Sequence, residues 1–263
     1  MSGVITTSSF AKSLWPGVNT WYGQAYAEYP VEWDKLFEKN TSRRAFEEDV
    51  GTSGLGLAVV KDQAGSITYD SMRQGFTSRY NHVTYGLGFI VTREAFDDDL
   101  YDVVAKKKAQ ALAFSMRQTK EIIGANVYNR AFNTSYLGGD GATLIACGAG
   151  GSASAPNVTG GTYTNGPSAA VDLSEAALEQ ACIDIAGFTN DRGLKIAVRP
   201  RKLIIPKELM FEADRILKTE GRTGTDLNDL NALKARGLIP EVVVNHYLTD
   251  TSNDAWFILT DVR

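Results

Sequence analysis

Apolar residues between positions 93 and 132 recur at helical spacing. Stepped at roughly 100° per residue, they fall within a band of about 120°; the members are Phe96, Leu100, Val103, Val104, Ala111, Phe114, Ile122, Ala125, Tyr128 and Phe132. No proline interrupts this stretch. The pattern predicts one continuous helix of about forty residues, roughly 60 Å long. A compact globule of this chain length has a diameter of only about 45 to 50 Å. We therefore expect an elongated, flat subunit whose remaining surface is covered by neighbouring copies.

The start of this helix carries residues that suit a positive helix end. Thr92 is placed to cap it, and a run of acidic residues follows in the first two turns, namely Glu94, Asp97, Asp98 and Asp99. Successive side chains point around a helix, so dipole compensation is favoured over a metal site. The later Lys106, Lys107 and Lys108 predict a solvated face. Gly124 predicts a slight bend.

Residues 1–47 are rich in aromatic side chains and suggest an arm. They comprise Phe10, Trp15, Trp21, Tyr22, Tyr26, Tyr29, Trp33 and Phe37. Several share one helical face, but Pro16 and Pro30 predict that no unbroken helix runs through the segment. So much aromatic area has to pack on something. Two alternatives stay open, namely packing on the chain's own body and docking on a neighbouring chain.

Between residues 51 and 92 the hydrophobic period changes to two. Residues 57–61 and 66–72 are predicted to be strands joined by a turn at 62–65, and a further alternation follows at Val83, Tyr85, Leu87, Phe89 and Val91. This excursion offers little apolar area for a core of its own. We expect an extended loop that projects from the body.

The second half predicts a compact mixed region after a glycine-rich connection. Residues 133–170 indicate a surface connection with room for a short hairpin. Asp172 and Glu175 form a capping-box-like start of a helix that ends at Gly187. Pro206 opens a second helix to about residue 218, and a shorter one covers 226–236 and closes at Gly237. Strands are predicted at 194–198, 202–205, 241–248 and 255–260.

Composition places the chain among globular proteins without a dominant nucleic-acid affinity. Of its 263 residues, 43% are apolar, and the net charge is -4. Cys147 and Cys182 lack metal-site spacing, which favours two free thiols. No basic segment followed by an apolar run begins the chain, and no stretch has the length of a membrane span. The balance predicts no membrane partner, and any nucleic-acid contact would be local.

The sequence shows no pattern typical of catalysis. Its two histidines, His82 and His246, lie in a polar hairpin and a predicted strand, where a structural or exposed role is favoured. No nucleophile elbow, zinc-protease motif, phosphate-binding loop or dinucleotide fingerprint occurs. We therefore predict no catalytic, cofactor-binding or metal-binding residues, and no cofactor. A soluble α+β enzyme with unrecognised carboxylate catalysis stays as a distant alternative.

Four runs in the second half carry a family resemblance. They are residues 199–209 (RPRKLIIPKEL), 224–233 (GTDLNDLNAL), 243–248 (VVNHYL) and 254–261 (DAWFILTD). These runs look like the phage head subunits related to the Mu-like major head protein. The order of arm, hairpin, long helix and mixed region resembles that of tailed-phage major capsid proteins with the Hong Kong 97-type fold, an α+β fold.

The resemblance implies a domain plan for the chain. Residues 1–47 would be the N-terminal arm, 48–92 the extended loop, 93–133 the spine helix of the peripheral domain and 134–263 mostly the axial domain. Similar head proteins continue with strands that complete the peripheral domain, whereas this sequence stops at Arg263. Either those strands are missing from the sequence or the sheet closes differently.

The resemblance also implies partners and a location. The chain would assemble with itself, as hexamers and pentamers, into an icosahedral shell around double-stranded DNA that it contacts non-specifically. A portal and scaffold or decoration proteins would be further partners. The subunit would assemble in the host bacterial cytoplasm and end in the virion. An encapsulin-type nanocompartment, which shares the fold, is the nearer alternative.

Nine residues are our candidates for contacts between subunits. They are Trp15, Trp21, Tyr22, Tyr26, Trp33, Phe37, Lys61, Tyr69 and Tyr85. Some members of the resembled family join subunits through a Lys to Asn isopeptide bond from the extended loop, where Lys61 lies. No sequence feature identifies its partners, so an ordinary solvated lysine is favoured over a covalent role.

Overall fold

The computed structural model describes residues 11–90, 101–147, 154–221, 229–249 and 254–262. Side chains are described from residue 18 onward and, in the long helix, from residue 104. The chain divides into two compact units. Unit 1 comprises Met1–Glu38 and Val83–Gly124, and unit 2 comprises Lys39–His82 and Ala125–Arg263. Helices and strands both occur, which is consistent with the predicted α+β class.

Unit 1 pairs the aromatic segment with most of the long helix. Helix α1 spans Ala11–Glu28, and a short 3-10 turn follows at Trp33–Lys35. The helix ends before Pro30, as predicted, but it runs through Pro16, so the predicted break there is wrong. Beyond the first turn, proline removes one backbone hydrogen bond and crowds the carbonyl four residues earlier. Its fixed φ still fits a helix, so such a residue can kink a helix without ending it.

Helix α2, Tyr101–Asn129, is the described part of the predicted long helix. It is continuous over 29 residues, which corresponds to about 43 Å. It ends three residues before the predicted end, and its last residues, 125–129, belong to unit 2. The predicted start, with Thr92, Glu94 and the aspartates, lies outside the described residues. The elongated subunit stays a prediction.

The buried face of α2 differs from the predicted apolar stripe. The buried positions follow one another at intervals of four and then three residues, as Ala105, Ala109, Ala113, Arg117, Glu121, Ala125 and Tyr128. From the predicted stripe, Phe114, Ile122 and Phe132 are instead exposed. The sequence prediction chose the face with the most large apolar side chains. The helix instead buries small ones, which allow close approach, together with two charged residues that bind backbone groups.

In unit 2 the excursion after the arm is paired only at its base. Strands β1, Phe46–Thr52, and β2, Gln74–Asn81, form an antiparallel ladder from Phe46 opposite Asn81 to Thr52 opposite Gln74. The strands predicted at 57–61 and 66–72 are wrong, because no ladder forms there, and the alternation that begins at Val83 forms no strand over its described residues, 83–90. The predicted turn does occur, since the Gly65 N–H donates to the Asp62 carbonyl. Alternation alone does not make a strand without a partner.

The connection and the next helix follow the sequence prediction more closely. A short hairpin forms from β3, Ala155–Pro156, and β4, Thr162–Tyr163. Helix α3 spans Glu175–Ala186, and Gly187 closes it as predicted. Its N-cap is Ser174, whose hydroxyl accepts the Ala177 N–H, so the capping role given to Asp172 is wrong. Ser174 has the extended backbone that an N-cap needs.

A three-stranded sheet in the order β6-β5-β7 forms the centre of unit 2. Strand β5, Pro200–Pro206, is parallel to β6, Glu241–Asn245, and antiparallel to β7, Phe257–Thr260. Side chains Leu203, Ile204 and Ile205 in β5 are fully buried, which explains the unbroken apolar run of this central strand. The strand predicted at 194–198 is wrong: it makes a single bridge, at Lys195, and Ala197 has positive φ.

Two short helices cover the sheet. A 3-10 turn after Pro206 leads into α4, Met210–Lys218, and α5 spans Ala232–Arg236 and closes at Gly237 in the left-handed conformation. Residues 222–228, where the predicted last helix begins, lie outside the described residues. One buried cluster joins α3, β5, α4 and α5, with members Leu173, Leu178, Cys182, Leu203, Ile205, Ala213, Ile216, Leu233 and Ile239.

Asn231 joins α4 to α5 within this core. Its side-chain amide donates to the carbonyls of Ile216 at 2.5 Å and Thr219 at 3.2 Å. Its side-chain oxygen accepts the Lys234 N–H and caps α5. The residue is buried, so each of these polar atoms depends on its protein partner.

We expect Asn231→Asp to destabilise the chain more than Asn231→Ala, although aspartate keeps the capping oxygen. The carboxylate would face two carbonyl oxygens in a buried site, at a cost of about 3 kcal/mol. Urea unfolding of both variants at neutral pH measures this difference. An equal or smaller loss for the aspartate variant would show that the two carbonyl contacts contribute little.

Candidate assembly surfaces

The loop between β1 and β2 exposes a large apolar surface. Its exposed apolar side chains are Leu55, Leu57, Val59, Val60, Ile67, Tyr69 and Met72. Val60 and Tyr69 each keep 91% of their surface accessible to solvent. A two-stranded ladder provides no core that these side chains can enter. This loop is therefore an apolar surface that its own chain leaves uncovered.

The loop leaves the ladder through a narrow polar neck. Ser53 and Arg73 face each other across it: the Ser53 N–H donates to the Arg73 carbonyl at 2.9 Å, and the Arg73 N–H donates to the Ser53 hydroxyl at 2.8 Å. Ser53 is fully buried. This pair continues the cross-strand contacts just beyond the last ladder position.

Arg192, from a turn in unit 2, contacts both legs of the loop at this neck. Its Nε donates to the Gly54 carbonyl at 3.1 Å, and its Nη2 donates to the Ser71 carbonyl at 2.7 Å. The same Nη2 lies 3.5 Å from Oδ1 of Asp70. One planar guanidinium thus spans two chain segments that have no strand pairing of their own.

Asp70 adds a second cross-link inside the loop. Its Oδ2 accepts the Gly56 N–H at 2.8 Å, and its Oδ1 accepts the Ser71 N–H, also at 2.8 Å. The Gly56 and Ser71 N–H groups lower the pKa of Asp70 below its usual 3.8, and the nearby Arg192 charge adds to this effect. The carboxylate is therefore the form that holds the two legs together.

In unit 1 the aromatic segment packs on α2 of its own chain. Arg117 donates from Nη2 to the Tyr29 carbonyl at 3.1 Å, and its guanidinium lies 4.8 Å from the centre of the Tyr26 ring. The Tyr29 ring is 5.1 Å from that of Phe114. Burial acts to raise the pKa of Tyr26, but the cations Arg117 and Lys120 outweigh it and lower that pKa.

Glu121 holds the start of the 3-10 turn against α2. Its two carboxylate oxygens accept the backbone N–H groups of Glu32 at 3.2 Å and Trp33 at 2.9 Å. Only 2% of the residue is exposed. Those two donors lie at the turn's N-terminus, which has no preceding carbonyls to bind them. The buried Glu121 carboxylate thus supplies the acceptors for these two N–H groups.

Gly124 lets the two segments come close together. A β-carbon at this position would lie 3.0 Å from Cβ of Trp33 and 3.5 Å from the Phe37 ring. The helix continues through Gly124, as predicted, and the close approach of Trp33 and Phe37 gives the residue a packing role; the slight bend stays a prediction. Leu36 is buried in the same segment.

The nine predicted contact residues are divided between the two units. In unit 1, Trp21, Tyr22, Tyr26, Trp33 and Phe37 are half-buried and Tyr85 is exposed, while in unit 2 Lys61 and Tyr69 are exposed. The side chain of Trp15 lies outside the described residues. Of the two packing alternatives for the arm, contact with the chain's own helix is observed for Tyr26, Tyr29 and Trp33. Contacts of the nine residues with neighbours stay predictions.

Burial raises the pKa of three further groups in unit 2. Burial raises the pKa of Tyr128 to about 12, and its ring packs 5.2 Å from that of Phe257. Cys147 and Cys182 are free thiols, as predicted, and burial raises both of their pKa values; the Glu179 carboxylate adds to the rise at Cys182. Neither thiol is set up as a nucleophile, which needs a lowered pKa.

The described residues contain neither a metal-binding cluster nor a membrane-spanning helix. Within these residues, no group of three or more His, Cys, Asp or Glu side chains is arranged to hold a metal ion. In that same part of the chain, no helix combines the length and the apolar character needed to cross a membrane. His82 and His246 are both exposed.

Comparison with known protein families gives one match. A family model described as phage capsid protein matches residues 75–263, which is more than half of the chain. The chain belongs to this phage capsid protein family. No curated protein and no solved structure matches it significantly.

Membership assigns this capsid protein a structural role in the virion. The matched region begins inside β2. It includes all of α2 and every later element of the chain. The exposed loop and the aromatic segment precede the match, so their surfaces are known from the structure alone. Capsid proteins form a structural family, and the sequence likewise shows no pattern typical of catalysis.

Sequence analysis missed the polar residues that hold the loop and the arm. Arg117 and Glu121 lie on the buried face of α2, where they continue the four-residue spacing of Ala105, Ala109 and Ala113. That spacing is a signal, but only if a stripe of alanines is given more weight than scattered large residues. For Arg192 and Asp70, which are far apart in the chain, no local pattern indicates the contact.

We expect Glu121→Ala to lower the free energy of unfolding by about 2 kcal/mol, because the N–H groups of Glu32 and Trp33 would lose their acceptors. Glu121→Gln keeps one acceptor oxygen and should cost about 1 kcal/mol. Urea unfolding and hydrogen exchange of those two amides measure the effect. Equal losses in both variants, or unchanged exchange, would contradict it.

We expect the loop neck to loosen in acid. The folded pKa of Asp70 lies below its usual 3.8, so its stabilising contribution is present above that value and is lost as pH falls through the folded pKa. In dissociated subunits, the amide NMR signals of Gly56 and Ser71 should titrate together with a midpoint below 3.8. Asp70→Asn should abolish this titration. A midpoint at or above the usual value would disprove the assignment.

Proposed function

We propose that this chain is the major capsid protein of a tailed double-stranded DNA phage, built on the Hong Kong 97-type fold and similar to Mu-like head subunits. Its function is self-assembly into an icosahedral head. The family match supports the capsid role, and the order of arm, loop, long helix and mixed region supports the fold. The nine candidate contact residues belong to this proposal.

The observation that carries self-assembly is the uncovered apolar loop. Seven large apolar side chains between positions 55 and 72 are exposed in a segment that has no core. Monomeric proteins rarely expose continuous apolar patches of this kind. In a capsid protein, the partner that covers such a surface is another copy of the same chain.

Exposed apolar residues on α2 offer further surface of the same kind. Ile122 is exposed there, and Phe114 is exposed on the side that the Tyr29 ring of its own chain leaves open. Burying one large aliphatic or aromatic side chain contributes about 1.5 to 3 kcal/mol before ordering costs are subtracted. Several such contacts per subunit, repeated around closed rings, give a durable shell from individually weak contacts.

The remaining proposed partners rest on the capsid role. The subunits form hexamers and pentamers, with a portal and scaffold or decoration proteins as further partners, and the shell is assembled in the host bacterial cytoplasm. The packaged DNA is contacted non-specifically, in keeping with a net charge of -4 that provides no strong general attraction for phosphates. The nanocompartment alternative shares the fold, but the match to a phage family does not favour it.

A double substitution in the loop tests the proposal. Val60→Asp with Tyr69→Asp should leave the fold intact, because both side chains are almost fully exposed, yet it should abolish assembly by placing charges in the buried contact. Size-exclusion chromatography with light scattering and negative-stain microscopy should show shells, sheets or rings for the wild type and only free subunits or small oligomers for the variant.

A matched control tests whether assembly needs the apolar character of these two positions or the exact side chains. Val60→Leu with Tyr69→Phe keeps the loop apolar and should assemble as the wild type does. Shells from the aspartate variant at the wild-type concentration would disprove docking through this loop. A wild-type chain that forms no shells, sheets or rings under any assembly condition would disprove the capsid proposal itself.

A further inference from the structure

We propose that Arg192 is a positioning residue that fixes where the apolar loop leaves unit 2, so that the loop meets a second copy of this chain in a preset course. This inference rests on the proposed self-assembly and adds a device that prepares the subunit for it. The juxtaposition that carries it is one guanidinium bonded to both legs of a loop that has no strand pairing beyond Thr52 and Gln74.

The contacts of Arg192 lie where the ladder has ended. The last paired positions are Thr52 and Gln74, whereas the carbonyls bound by Arg192 belong to Gly54 and Ser71. The guanidinium therefore closes the neck two to three residues further out than β1 and β2 do. Asp70 strengthens the closure, because it accepts the Gly56 N–H from the opposite leg and lies beside the same guanidinium.

The turn that carries Arg192 is itself held in place. The side-chain oxygen of Asn190 accepts the N–H groups of Arg192 at 3.0 Å and Leu194 at 2.8 Å. Gly193 supplies the positive φ that the turn needs. On its other side, Asp191 accepts the Val158 N–H at 2.9 Å through Oδ1. The guanidinium is thus presented from a braced turn, in contact with the β3–β4 hairpin, and not from a free surface loop.

The physical benefit of contacts that join both legs of the loop is pre-organisation. A loop that is free at its base loses conformational entropy when it docks, and that loss weakens association. A loop whose two legs are already fixed has less to lose. The fork of arginine suits this task because one planar group donates to two carbonyls at once, which the single ammonium of lysine does less well.

The test compares three full-length variants, Arg192→Ala, Arg192→Lys and Arg79→Ala. Arg79 is the matched control, because it pairs with Glu48 at 3.3 Å inside the ladder, where backbone bonds already join the strands. Hydrogen exchange of dissociated subunits reports on the amides of Gly56 and Ser71. Light scattering gives the protein concentration at which assembly begins, and thermal unfolding checks that the fold is kept.

We expect Arg192→Ala to speed exchange at Gly56 and Ser71 by about tenfold and to raise the assembly concentration by a similar factor. Arg192→Lys should give intermediate values, and Arg79→Ala should leave both unchanged. The β5 and β6 amides should exchange as in the wild type. If the alanine variant does not fold, the lysine variant alone decides the outcome.

Two results would overturn the inference. Unchanged exchange of the loop amides in Arg192→Ala and Arg192→Lys would show that the guanidinium does not hold the legs, whatever the shells do. Faster exchange with an unchanged assembly concentration would show that the course of the loop is irrelevant to docking. A wild type that never assembles is a different failure, because it removes the capsid proposal together with the assembly half of this one.

Discussion

The course of the apolar loop in this capsid protein depends on a few polar contacts at its neck. Its side chains have no core to enter, so hydrophobic packing cannot fix it within the chain. Hydrogen bonds from Ser53, Asp70 and Arg192 take over that role. The same segment is thus rigid at its base through polar groups and available at its tip through apolar ones. An assembling subunit needs both properties, because its contacts have to be exposed and yet already ordered.

The aromatic segment in unit 1 follows a related design. Glu121 and Arg117 lie on the buried face of α2 and bind backbone groups of the segment through charge-assisted hydrogen bonds. A buried charge is costly unless it is paired and hydrogen-bonded, so these residues favour one position of the segment over others. The alanines before them allow α2 to be approached closely, and Gly124 does the same for Trp33 and Phe37. In both units, polar side chains place segments that apolar packing alone would leave loosely specified.

Unit 2 gains its core from a different source. Strand β5 is buried on both faces between β6 and β7, and α3, α4 and α5 pack against it. Here apolar burial dominates, with Asn231 as the polar link between two helices. The Asn190–Gly193 turn, which follows α3 in the chain, contacts the loop neck through Arg192 and the β3–β4 hairpin through Asp191. The turn thus supplies polar contacts that the exposed loop cannot obtain from the apolar core.

The sequence by itself determined the features that depend on local chemistry. The α+β class, the continuous helix over 101–129, the helix ends at Gly187 and Gly237 and the central apolar strand follow from period, capping and composition, which act over a few residues. Only the tertiary structure decided which face of α2 is buried, that strands at 57–61 and 66–72 do not form, and that Arg192 reaches Gly54. The backbone groups that Arg117 and Glu121 bind are 88 or 89 residues away, and Gly54 is 138 residues from Arg192. Contacts over such separations, and the lack of a partner for the loop strands, override local propensity and leave no periodic trace in the sequence.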